Sequence, residues 1–189
     1  MTQASSSPGQ AQEVRLTPDL LFLRERTPRE AWDKLPPGSL ARTWLAMHDS
    51  LRQGQQMLER LATHWQLKMI DAATFRDRAL PVLRQHLSHL HGHHRLEDTH
   101  YFPQFRRIEP RLEKGFDLLE RDHAELHAGI DVLEDLTRLL ASSADGGAQQ
   151  LAEALHRVGG LLRRHLEDEE DLVIPLLAAA ESNQGNPTP

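Results

Sequence analysis

The sequence predicts an all-α protein, an up-down-up-down four-helix bundle with a short N-terminal helical extension, and three observations predict it. Apolar residues recur at helical spacing over four long stretches, and no stretch shows the alternation of a half-buried strand. Short connections between long helices favour antiparallel neighbours. The chain also echoes itself. HDSLRQGQQMLERL at 48–61 aligns without gaps to HAELHAGIDVLEDL at 123–136, and HHRLEDTHYFP at 93–103 aligns with HLEDEEDLVIP at 165–175. Two copies of one helical hairpin give a bundle with pseudo-twofold symmetry.

The elements follow in order. Residues 1–15, rich in Ser, Gln, Pro and Gly, read as a disordered N-terminus, and 181–189 as a disordered tail. Residues 16–37 form the N-terminal extension, where Thr27-Pro28-Arg29-Glu30 has the pattern of a capping box with proline at the first helical position. The bundle spans 38–180. Its first helix, capped near Ser39, carries Trp44, His48, Leu51, Leu58, Leu61 and Trp65 on one stripe. The second begins near Asp71, meets Pro81, and carries Leu83, His86, Leu90, His93 and Glu97 before Pro103. The third, roughly 116–141, presents Leu119, His123, Leu126, His127, Ile130 and Leu133, and Ser142 to Gly147 make a turn. The fourth, roughly 148–174, presents Leu155, Val158, Leu162, His165, Glu169 and Leu172.

Composition removes several function classes. A net charge of −6 with dispersed Lys and Arg offers no basic surface for nucleic acid. With no cysteine there is no disulfide, thiolate zinc site, iron–sulfur cluster or cysteine nucleophile, so any metal site must use nitrogen and oxygen. The N-terminus lacks a signal-peptide pattern, and the longest apolar stretch, Leu172 to Ala180, is too short for a bilayer and contains Pro175. The expectation is a soluble, cytoplasmic protein without a membrane partner. Its oligomeric state is not legible.

The chemistry lies in polar residues on the apolar stripes. His48, His93, Glu97, His123, His127, His165 and Glu169 all take inward positions. The HxxxE and HxxxH spacings put each pair on one helix face, within reach of one ion or of a neighbouring second ion. Any one pair alone reads equally as a surface pair, and a lone His48 as a hydrogen-bonded core histidine. Together they are costly without a metal, since each buried, unpaired ion costs several kcal/mol. Imidazole with carboxylate suits iron, and manganese or a mixed pair also fits; zinc favours four tetrahedral ligands, and calcium or magnesium more oxygen. Arg52 stands where the second repeat has His127, so the halves donate two and three histidines, and the poorer half should leave a coordination position open. Trp44, Trp65, Tyr101 and Phe102 read as core or helix-end packing.

These residues resemble the hemerythrin-like (HHE cation-binding) domain family over about residues 40–176. The resemblance implies two iron ions in an oxo- or hydroxo-bridged di-iron centre: His123, His127 and His165 on one iron, His48 and His93 on the other, Glu97 and Glu169 between them. It also implies a non-haem protein that binds dioxygen, or a related ligand such as nitric oxide or peroxide, at the open iron, for sensing, storage or oxidative and nitrosative defence. Oxygen-carrier hemerythrins place an aspartate five residues after the last histidine, which makes Glu170 a rival to Glu169. Glu169 is preferred because it repeats the His93 to Glu97 spacing. His89 and His100, near His93 on the second helix, read as solvated or core histidines, with an auxiliary role as the alternative.

Two other readings compete. An iron-handling or redox enzyme, peroxide-consuming or ferroxidase-like, would use the same residues, and the sequence does not decide between binding and turnover. A ferritin-like site would use Glu97-x-x-His100 and Glu120-x-x-His123, but it needs an inward glutamate on each of two other helices, and the first offers none. It would also leave His48, His93 and His165 unexplained.

Overall fold

A computed structural model describes residues 15–143 and 146–184. Among these residues every regular element is helical, and none is a strand. Four long helices, α1 (Leu40–Gln66), α2 (Ala72–Leu96), α4 (Glu113–Ser142) and α5 (Ala148–Gln184), are joined by a short α3 (Phe102–Ile108), giving five helices where the sequence predicts four. The expected disorder of 1–15 and of the tail falls largely outside the described residues.

Two of the starts lie where the sequence puts them. Ser39 Oγ accepts from the Arg42 N–H at 3.2 Å to cap α1, and Asp71 Oδ1 accepts from Thr74 N–H at 2.7 Å to cap α2; each satisfies a donor that the first helical turn leaves free. The capping box at Thr27 does not form. Pro28 precedes a short 3-10 turn, Arg29–Lys34, with no side-chain cap.

Pro103 does not end the second helical path. After α2 the backbone opens into a π turn, Glu97–Tyr101, closed by the Phe102 N–H donating to the Glu97 carbonyl five residues back. Proline has no N–H and its ring crowds the carbonyl four residues earlier, so a wider turn is the accommodation. Beyond it α3 and a 3-10 turn, Pro110–Leu112, lead into α4. Similarly, α5 passes Pro175 and continues to Gln184, with Leu172, Val173, Ile174, Leu176 and Leu177 all buried around the proline. That apolar burial outweighs the one lost backbone bond.

Contacts between neighbouring helices run in opposite senses. His48, Gln55 and Trp65 on α1 meet His93, His86 and Phe75 on α2. His48 and Gln55 meet Glu170 and Leu155 on α5. Gly115, His123 and Gly129 on α4 meet Leu172, His165 and Val158 on α5. His94 and His91 on α2 meet His123 and His127 on α4.

Two apolar clusters fill the interior. One contains Leu51, Leu58, Leu83, Leu90, Ile130 and Leu155. The other contains Trp44, Phe102, Phe116, Leu119, Leu172 and, from the N-terminal segment, Leu16, Leu20, Leu23, Trp32 and Leu35. Along α1, α4, α5 and the path from α2 into α3, the candidate ligands His48, His93, Glu97, His123 and Glu169 fall between residues of these two clusters. The polar layer is therefore enclosed between two dry ones. Among the described residues no helix is long and apolar enough to cross a membrane.

Candidate metal centre

The wide turn at Glu97 and the opposed helix pairs bring four helices' polar residues into one layer. His48, His93, Glu97 and Glu169 each offer a ligand atom, and these atoms lie within 4.8 Å of one another; Glu97, His123, His165 and Glu169 form a second such group. The two glutamates belong to both. Glu97 Oε1 lies 3.0 Å from His93 Nδ1 while its Oε2 lies 3.5 Å from His123 Nε2. Glu169 Oε1 lies 3.5 Å from His48 Nε2 while its Oε2 lies 3.3 Å from His165 Nε2. Each carboxylate thus spans from one histidine group to the other. His123 Nε2 and His165 Nε2 approach to 3.1 Å, the separation of two nitrogens bound about 2.1 Å from one ion at roughly a right angle.

The outer edges of the rings are braced. Glu170 Oε1 lies 3.0 Å from His48 Nδ1, and Asp98 Oδ1 lies 2.6 Å from His123 Nδ1. His48 and His123 correspond in the internal repeat, and so do Glu170 and Asp98. The two hairpins therefore brace their histidines in the same way, each with a carboxylate from the other hairpin. Such outer partners fix ring orientation and tautomer. Trp44 Nε1 donates to Glu169 Oε1 at 2.7 Å, so this side chain does more than pack. Phe102 stacks on His123 with centroids 5.4 Å apart, and Tyr101 meets Trp44 edge-on.

Burial and charge set the protonation. Burial pushes His93 down to about 3, and pushes His94 far below the ordinary imidazole range. Burial and the charge of Glu169 push Glu97 well above the usual carboxylate range. Burial acts in the same direction on Glu169, but His48 and His165 overcome it and hold this carboxyl well below that range. Burial lowers His48, yet Glu169 and Glu170 outweigh it and bring the ring up to about 9. Buried, neutral imidazoles keep the lone pairs that a cation needs.

Many of these atoms have no partner. His48 Nε2, both ring nitrogens of His93 and of His94, both oxygens of Glu97, and Glu169 Oε2 are buried without a hydrogen bond. Buried polar atoms are nearly always satisfied, and this concentration in one layer is what cations would relieve. The donor set fits a metal.

The family model described as Hemerythrin HHE cation binding domain matches residues 39–182. The chain belongs to this family. No curated protein and no solved structure gives a significant match. As a hemerythrin HHE domain with a buried His/Glu cluster, the chain is a metal-binding protein.

The sequence-derived residues His48, His93, Glu97, His123, His165 and Glu169 are brought together. His127 is not in either group. It is half-buried, its ring stacks on exposed His91 at 5.3 Å, and its buried Nε2 has no hydrogen bond. His94, which the sequence reading passed over, is fully buried and stacks on His123 at 4.2 Å, forming a third group with His123 and His165. Consecutive helical residues diverge by about 100°, so a single apolar stripe admits only one of His93 and His94. The HH doublet itself was the signal, one ring for each flanking helix. His89 and His100 are exposed, and Glu120 pairs with Arg106 at 2.7 Å, which leaves the ferritin-like arrangement without an assembled site.

Proposed function

We propose that this chain is a non-haem di-iron protein that binds dioxygen, or a related small ligand such as nitric oxide or peroxide, at the iron with fewer protein ligands. Its four long helices then make the up-down-up-down hemerythrin-like bundle over 38–180, with 16–37 as an extension and α3 as an elaboration of one connection. The observation that carries the reading is the double reach of Glu97 and Glu169, one oxygen of each toward His93 or His48 and the other toward His123 or His165. Two ions sharing two carboxylates account for it; one ion does not.

In this reading His48 and His93 hold one ion, His123 and His165 the other, and His94 supplies the third imidazole expected of His127. His94 comes from the same hairpin as His48 and His93, so the contrast of two and three histidines holds between the two ions rather than between the hairpins, and the His48 side is the open one. An iron pair, when bound in its reduced form, supplies two electrons to a small ligand. The protein's part is to exclude water and hold geometry. Trp44 and Phe102 cover the layer on one side and Leu51 and Leu90 on the other, which removes the bulk water that would compete for the open position.

Metal analysis combined with an anaerobic optical spectrum before and after air, and after azide or nitric oxide, tests the proposal. Two irons per chain and a ligand-dependent spectrum are expected. A single tetrahedral zinc, or a metal-free core in iron-supplemented protein, overturns it. Sustained peroxide consumption would favour the redox-enzyme reading over reversible binding.

A further inference from the structure

The family match begins at residue 39, yet residues 15–38 close one end of the bundle. Leu16, Leu20, Leu23, Trp32 and Leu35 are buried there against Trp44, Phe102 and Phe116. Three arginines of this segment reach aspartates on α4 and α5 that flank the candidate ligands. Arg24 Nη1 and Arg29 Nε lie 3.0 and 2.7 Å from the two oxygens of Asp171. Arg15 Nη2 hydrogen-bonds Asp122 Oδ1, and its Nη1 lies 3.0 Å from Asp168 Oδ2. Asp122 immediately precedes His123, and its other oxygen faces His165 Nδ1 at 3.7 Å. A chain of contacts therefore runs from Arg15 through Asp122 to His165.

The opposite side of the layer has the same arrangement. Arg52 Nη1 lies 2.8 Å from Glu170 Oε1, and that oxygen lies 3.0 Å from His48 Nδ1. There the arginine comes from α1, within the bundle. On the His165 side no described bundle residue provides it, and the N-terminal segment does.

We propose that Arg15 is a positioning residue for the metal centre: it holds Asp122 at the Nδ1 edge of His165, so that a segment outside the family's bundle completes the site. The inference rests on the metal-centre reading above. Asp122 and Asp168 share one guanidinium, and without it two neighbouring carboxylates repel and Asp122 loses the anchor that keeps it facing His165. Nδ1 of His165 and the Asp122 Oδ2 that faces it at 3.7 Å are both buried, and neither has a hydrogen bond elsewhere, so Asp122 is the acceptor placed to orient the ring. With His165 Nε2 already facing Glu169 and His123, the ring would hold an ion there only with Nδ1–H outward, and that N–H needs a fixed acceptor; loss of such a partner typically costs about 10–100-fold in metal affinity. Lysine is a poor substitute, because a point charge cannot present two nitrogens in a fixed fork to two carboxylates.

The test uses the full-length, iron-loaded chain and compares parent, R15Q, R15K and R26Q, the last removing an exposed charge from the same segment. Iron retention against a competing chelator, the electronic spectrum, and the melting midpoint of the metal-free protein are recorded. R15Q is expected to release iron about 10–100-fold more readily and to alter the spectrum, with R15K between it and the parent and R26Q like the parent. If R15Q lowers the melting midpoint while iron retention and spectrum stay as in the parent, Arg15 merely fastens the segment and the inference is overturned. Should R15Q fail to fold, D122N breaks the same chain from inside the bundle; it must show the same iron loss, and parent-like retention overturns the inference equally. A parent that holds no metal defeats the metal-centre reading instead, and the two failures are told apart by that control.

Discussion

Arg52 points its guanidinium at Glu170, 2.8 Å away, with less than a quarter of its side chain exposed. In the repeat this arginine replaces His127, and the sequence alone makes it the reason for an open coordination position. The structure gives it a second task, since the carboxylate it holds is the one that braces His48. We expect R52Q to weaken the His48 side selectively, by roughly 10–100-fold. Chelator titration should then run in two steps, with one iron per chain lost early. A single step with both irons lost together would show that Arg52 has no preference between the sides.

The ligand set is separable by substitution on α2 and α4. H94A and E97A should each abolish most iron binding, whereas H127A and H91A should retain it, because His94 and Glu97 are buried members of the ligand groups, while His91 is exposed and half-buried His127 joins none of the groups. Iron content of the four purified variants decides. Loss in H127A with retention in H94A would restore the assignment read from the sequence.

Metal binding should fall with acid. Imidazole must be neutral to ligate, so as pH drops below roughly 6 protons compete for the rings and iron is released. Iron retained per chain after equilibration across this range is the measurement, and full retention well below pH 5 would contradict a freely exchanging site.

His86 offers a pH effect independent of metal. It is buried near Gln55, away from the ligand layer, and burial lowers it to about 4 against an ordinary value of 6.5. The unfolded chain takes up this proton at a higher pH than the folded one does. The stabilisation is therefore complete above about 6.5 and is lost as pH falls from there toward 4. Between pH 7 and pH 5 the metal-free protein should lose about 1–2 kcal/mol through this group, and H86Q should lose correspondingly less. Urea midpoints at the two pH values, for parent and variant, give the difference directly.

Gly159 sets the distance between α1 and α5. A Cβ there would fall 1.8 Å from Glu59 Oε1 and 2.6 Å from Gln55 Nε2. Gln55 also donates to the Leu155 carbonyl at 2.8 Å and meets His86 at 3.2 Å, so it has little room to yield. G159A should cost about 1–3 kcal/mol in denaturant unfolding while leaving the iron spectrum as in the parent. An unchanged midpoint would mean that Glu59 alone gives way.

Much of the fold was legible because it depends on local rules. Helical periodicity places the four long helices, and Ser39 and Asp71 cap two of them where an oxygen side chain meets free backbone donors. The ends near proline differ from the sequence expectation: α2 leads through a π turn past Pro103 and α5 continues past Pro175, since packing around those prolines outweighs a local breaker. The capping-box pattern at Thr27 similarly gave way to a short 3-10 turn.

By itself the sequence determined which residue types lie inward, because a polar ligand on an apolar stripe is visible from spacing alone. It also determined the repeat, and with it the pairing of His48 with His123 and of Glu97 with Glu169. Only the tertiary structure decided what neighbours on one helix each meet. His93 lies against His48 while His94 lies against His123, and Glu169 spans the histidine groups while Glu170 braces His48. The physical reason is angular: residues about 100° apart on a helix face different neighbours, and only the packing of α1, α2, α4 and α5 says which neighbour each one meets.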